Sequence, residues 1–265
     1  MRKILTFLLI VPIFFILIIG LIIFDYIYFP LISYKAEDVA EKFLEEKYNE
    51  DFNIGESSFS KPLGDYFGTY QIHAHPVSNP TLTARISVTE DMDPLWDDYL
   101  DTKWRAELNE QFGLVYKELY GSVENYSYMV NVSFPDDADT KYTAANTYED
   151  IFKNDHNSIG NIVFLNIILN SANDMDDQLD KAFQLVQYLK EQDLEYFSVD
   201  INFYNEKLGQ TISEQDNELS YHEFTNKHLI AREYILDFSY DSRYVESKSE
   251  LEQIKAATDL KEYLR

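Results

Sequence analysis

His73 and His75 stand two apart in TYQIHAHP. In an extended chain, residues two apart project to one face. Two imidazoles so placed can serve one metal ion, which needs at least one further ligand. Asp91, Asp93 and Asp97 supply carboxylates a short way along, and Asp98 and Asp101 follow. Calcium takes several oxygens from a short stretch of chain, so these residues are candidate cation ligands. The plainer reading is a polar strand face for the histidines and a helix start for the aspartates, where the helix dipole attracts acids. HExxH is absent, and EF-hand spacing fails near Asp155, where the fifth position is Ile159 and the twelfth is Asn166. His73, His75, Asp91, Asp93 and Asp97 are the metal-ligand candidates, and no organic cofactor is implied.

Catalytic signals are thin. The chain has no cysteine and no GxSxG. His156, His222 and His228 each have carboxylates within a few residues, which is expected by chance at this acidic density. Asn173, Asp174, Asp176 and Asp177 precede or open a helix that follows an apolar strand. They are acidic and lack the glycines a phosphate needs, so capping is their expected role. Trp96 and Trp104 are expected on a single helix, chiefly as core residues.

Charge bounds the partners. Lys and Arg number 22 against 47 Asp and Glu, a formal net charge of −25. Such a body repels nucleic acid and anionic headgroups and attracts cations, cationic peptides or basic protein surfaces. The 21 Tyr and 18 Phe supply core volume and argue against disorder. Without cysteine, stability must come from the core rather than from disulfides. The abundance of Ile, Asn, Tyr and Lys fits a low-GC Gram-positive source.

Ile4–Phe24 is a run of 21 residues without a charge, interrupted only by Thr6, Pro12 and Gly20 among bulky apolar residues. As a helix it would be roughly 31 Å long, the thickness of a bilayer's hydrocarbon core. Arg2 and Lys3 precede it, and Asp25 follows. The positive-inside bias predicts a cytoplasmic N-terminus, a single-pass cell-membrane span and an extracytoplasmic C-terminal body. A cleaved signal peptide is the rival, but the run is long and leads into the bulky DYIYFPLISYK rather than a small-residue cleavage site. Tyr26, Tyr28, Phe29 and Tyr34 fit an aromatic belt at the membrane exit.

Beyond the span, apolar spacing predicts a helix over residues 36–49, with Ala36, Ala40, Phe43 and Leu44 on one face. Strands follow over 70–75 and 82–89, the second with clean alternation of Leu82, Ala84, Ile86 and Val88. A helix is expected over 95–120, closed by Gly121. The second half reads as a strand over 128–134, a Thr147/Asp150 capping box, and a buried strand over 159–169. A helix to Gln192 and a strand over 197–203 come next. Residues 205–218 read as a polar loop and LSYHEF as a strand. LIAREYIL is open between helix and strand, and Ser249 with Glu252 is expected to cap a final helix.

FLEEKYNEDF (43–52), HAHPVSNP (73–80) and DDYLDTKW (97–104) together resemble small membrane-anchored Gram-positive extracytoplasmic proteins of unknown function with a cystatin- or PepSY-like α+β module. The resemblance covers about a quarter of the chain and implies a fold rather than a reaction.

The expected fold class is α+β: an N-terminal transmembrane helix followed by helix-plus-antiparallel-sheet modules. Residues 1–29 would be tip and anchor, 30–121 an α+β module, and 122–265 a second α/β or α+β module. The expected function is non-catalytic binding at the bacterial cell envelope, with membrane contact through the N-terminal helix and a protein or cationic envelope ligand as partner. The alternative is an envelope-acting enzyme, possibly cation-assisted, which would require a pocket where nucleophile, base and orienter converge.

Overall fold

A computed structural model describes residues 27–62, 66–121, 126–171, 174–213, 216 and 219–265. It divides into two compact units, Met1–Thr102 and Lys103–Arg265. The division falls inside one helix rather than after it near residue 121.

In the first unit, α1 (Ser33–Tyr48) precedes a four-stranded antiparallel meander: β1 (Phe52–Ser60), β2 (Thr69–Pro76), β3 (Ala84–Thr89) and β4 (Pro94–Asp97). Ala36, Ala40 and Leu44 are wholly buried on α1. Tyr70, Ile72 and Ala74 on β2 pair across with Val88, Ile86 and Ala84 on β3, so their side chains share one buried face. Burying a large apolar side chain is worth about 1.5–3 kcal/mol, which makes this face the source of the unit's stability. The expected helix start near Leu95 is displaced. Leu95 and Trp96 lie in β4, both exposed, and α2 begins at Tyr99. Trp96 therefore does not share a helix with Trp104; it pairs across from Ser87. Phe29 stacks on Phe59 at 4.5 Å, while Tyr28 and Tyr34 are exposed and Tyr26 lies outside the described residues.

The second unit contains most of α2 (Tyr99–Tyr120), β5 (Tyr126–Ser133), the short α3 (Ala138–Lys141) and α4 (Tyr148–Asp155). After these come β6 (Gly160–Ile168), α5 (Met175–Glu191), β7 (Tyr196–Tyr204), the short α6 (Glu206–Gly209), α7 (Tyr221–Lys227), β8 (Arg232–Asp241) and α8 (Val245–Gln253). Its sheet has the order β5-β6-β7-β8. The two central strands are parallel and the outer pairs antiparallel. The parallel pair follows from the 17-residue α5, long enough to carry the chain back to the starting end of the sheet.

The expected fold class is corrected in two respects. No helix among the described residues is long and apolar enough to cross a membrane, and the predicted span Ile4–Phe24 lies outside the described residues. The fold described is α+β with two sheets, of which the second is mixed rather than antiparallel.

Val163, Leu165 and Ile167 on β6 share a face with Val199, Ile201 and Phe203 on β7 and are buried. Asn161 lies on this same face by alternation; Asn166 lies on the other. Asn166 is fully satisfied there. Its Oδ1 accepts from Asn202 Nδ2, Tyr204 OH and Thr225 Oγ1 at 3.0–3.1 Å, and its Nδ2 donates to Ser127 Oγ and the Tyr221 carbonyl at 3.2 Å. A buried polar network with each member paired specifies one register and leaves no group addressed to a ligand.

Candidate functional site

The five expected metal ligands are not brought together. His73 and His75 do lie on one face of β2, opposite the buried one. His75 Nδ1 is 3.1 Å from the Leu82 carbonyl and thus engaged by the following turn, while His73 sits opposite Arg85, a cation. Asp91 and Asp93 belong to the hairpin between β3 and β4, which the left-handed Met92 (φ 67°) closes. Asp97, at the end of β4, accepts from Lys47 Nζ at 2.7 Å, Tyr48 OH at 2.6 Å and the Tyr99 amide at 3.2 Å. Its oxygens join β4 to α1. Asp98 likewise binds the Arg85 amide and guanidinium. Among the described residues no group of three or more His, Cys, Asp or Glu is arranged to hold a metal ion. Spacing put these residues near one another along the chain, but the hairpin and the strand end point them at different neighbours.

The histidines of the second unit have structural partners or none of catalytic kind. His228 Nε2 is 2.9 Å from Asp216 Oδ1. Asp216 also receives Lys227 at 2.6 Å and Ser213 through both amide and hydroxyl at 2.8 and 2.6 Å. Lys227, with the Ser213 bonds next, holds this buried carboxyl well below the usual carboxylate range. The nearby hydroxyl donates to the carboxylate rather than to the imidazole, so the order nucleophile, base, orienter is not formed. His156 lies 3.8 Å from an exposed Asp193, and His222 packs edge-on against Tyr221. At the expected helix start, Asp174 Oδ2 accepts from the Asn170 amide, a local turn contact.

A cleft of about 50 Å³ opens elsewhere in this unit. Asn161 of β6 and Leu108 and Phe112 of α2 line it, with Tyr148 and Phe152 of α4 and Tyr188 of α5. Gln111, Glu149 and Gln192 complete the lining. Local structure accounts for each wall. The expected Thr147/Asp150 capping box forms and starts α4, and the Tyr148 amide donates to Glu107 Oε2 at 2.7 Å, joining α4 to α2. Phe112 and Tyr188 meet edge to face at 5.7 Å, joining α2 to α5. Tyr148 and Phe152, one turn apart, sit 6.1 Å apart on the α4 side.

Asn161 is 2% exposed, and its Oδ1 has no hydrogen-bond partner. Its amide group is engaged with the Tyr148 hydroxyl, whose pKa burial pushes up to about 12, with the Asn161 bond acting in the opposite direction. Tyr148 is accordingly a neutral phenol at physiological pH. A buried, unsatisfied carbonyl costs about 1–3 kcal/mol unless something supplies a donor. No Lys or Arg lines the cleft; Glu149 carries its one formal charge and is held by Lys153 at 3.1 Å. Sequence reasoning passed over Asn161 because GNIVFLNIIL reads as a nearly continuous apolar strand. The usable signal was the pair of asparagines within it, five apart and so on opposite faces, each of which needed a partner.

No protein-family model matches the chain, and no curated protein matches it. Among solved structures it is similar to a DUF5037 family protein from Ruminococcus gnavus ATCC 29149, at 16% identity and a TM-score of 0.46. That similarity covers 85% of this chain and 98% of the other. A likeness at this level carries no argument about fold or function.

Proposed function

We propose that this chain is a non-catalytic binding protein of the bacterial cell envelope. The observation that carries the reading is the aromatic cleft of the second unit, where the buried Asn161 Oδ1 waits without a donor. Elsewhere the polar groups satisfy one another: Asn166 within its network, Asp216 with Lys227, Ser213 and His228. Converging polar residues around a shared open point would favour an enzyme; one unsatisfied acceptor among rings favours recognition.

The address rests on sequence. The apolar stretch Ile4–Phe24 behind Arg2 and Lys3, and a strongly acidic body without cysteine, support an envelope location with that body outside the cytoplasm. The helix-then-meander order of the first unit is the order that the cystatin or PepSY resemblance implies, and it supports an interaction role.

Cells producing the full chain with a C-terminal tag test this reading. The tag is expected in the envelope fraction and accessible to protease added to intact cells, and crosslinking there should recover a bound partner. A tag confined to the cytosol, or turnover of envelope material by the purified chain, would sink it.

A further inference from the structure

We infer that the cleft at Asn161 binds a small primary alkylammonium ion, its N–H groups on Asn161 Oδ1 and its carbons among the rings. This rests on the binding role proposed above and specifies its ligand class. Three properties of the cleft lead to it.

The buried acceptor demands a donor, because Asn161 Oδ1 is unpaired at 2% exposure. Water is a poor occupant. A bound water needs two to four polar partners, and the walls here are chiefly the faces and edges of Phe112, Tyr148, Phe152 and Tyr188. At about 10–15 Å³ per water-sized probe, the volume of about 50 Å³ suits a group of roughly four non-hydrogen atoms, which one water does not fill.

The sign of the ligand follows from its surroundings. Ring faces are negative and attract cations. No basic side chain lines the cleft, Glu149 is at its wall, and the whole chain carries −25. An anion would find no counter-charge there. A neutral alcohol could donate to Asn161 but would gain nothing from the ring quadrupoles, and a quaternary ammonium could meet the rings but could not donate. A primary alkylammonium does both.

The test titrates the full-length chain at neutral pH in about 0.15 M salt, where attraction to the acidic surface at large is screened. The probes are n-butylammonium, 1-butanol and tetramethylammonium, followed by ligand-observed NMR and thermal shift. Butylammonium should bind saturably and at least about tenfold more tightly than the other two. Asn161→Leu should weaken it about tenfold or more, as loss of a charge-assisted hydrogen bond implies. Phe152 is only half-buried, so Phe152→Leu keeps the test open if the Asn161 variant fails to fold; it should weaken butylammonium several-fold. Butylammonium binding that both folded variants leave unchanged would overturn the assignment of the site. Butanol binding as tightly as butylammonium would overturn the ligand class while leaving the binding role intact. If no probe binds but crosslinking in cells still recovers a partner, the cleft inference fails alone; if crosslinking is also empty, both fail.

Discussion

Asp216 and Asp200 respond to pH in opposite senses. Asp216 is 4% exposed and accepts from Lys227, Ser213 and His228, so its folded pKa lies below the ordinary 3.8. A depressed carboxyl contributes stability that is present above the unfolded pKa and lost as pH falls through about 4 toward the folded value. Asp200 on β7 lies directly across from Asp237 on β8. Burial first, and the Asp237 charge second, push it up to about 6. Here the folded state holds its proton more tightly than the unfolded chain, so stability falls as pH rises from about 4 to about 6 and is flat above. Asp200→Asn should abolish that decline and raise neutral-pH stability by roughly 2 kcal/mol. Asp216→Ala should cost about 3 kcal/mol near neutrality by stranding Lys227 and His228, and should flatten the acid limb. Urea melts of both variants from pH 3 to pH 8 read these slopes; parallel curves for Asp200→Asn and the parent would discard the first.

The interlocking of α2 with the mixed sheet turns on one amide. Asn109 Oδ1 accepts from the Val130 amide and its Nδ2 donates to the Val130 carbonyl, both at 2.8 Å. The side chain thus occupies the open edge of β5 as a neighbouring strand would, and blunts an edge that could pair with another chain. Asn109→Ala should cost roughly 2 kcal/mol through the two unsatisfied backbone groups, and hydrogen exchange at the Val130 amide should rise sharply. Unchanged protection there would show that the edge does not depend on Asn109. At this level much was legible. The strands Ala84–Thr89 and Tyr196–Tyr204, and the Thr147 cap, follow directly from alternation and the capping pattern. LSYHEF misled because its apolar residues alternate like a strand, whereas Ser220 and Glu223 form the capping box that starts α7. Ser249 and Glu252 carry the same pattern, yet both fall inside α8, which begins at Val245. The pattern marks a helix start only where the preceding backbone is extended, and spacing alone does not report that. The strand Phe52–Ser60 went unread because FNIGESSFS carries Gly and Ser where a strand usually carries β-branched residues.

Across the chain, 47 acids against 22 bases make self-repulsion a standing cost of the folded state. Raising salt from about 10 mM to about 0.5 M shortens the Debye length from about 30 Å to under 10 Å and should raise the melting temperature by several degrees. A melting temperature that falls with salt would mean that the ion pairs of Lys61, Arg85, Lys141 and Arg243 outweigh the excess of negative charge. Composition, charge and the periods of two and 3.6 are properties of the chain in order, and they were enough for the α+β class and most element types. Side-chain convergence is not. His73 and Asp91 are close in sequence yet serve a sheet face and a hairpin, because alternation and turn geometry aim neighbours apart. Asn161, Tyr148, Phe152 and Tyr188 come from three elements and share a cleft because Glu107 holds α4 against α2 and Phe112 holds α5 there. Contacts between elements distant in sequence arise from packing buried faces together, and only the folded chain can choose which polar group is left facing the gap.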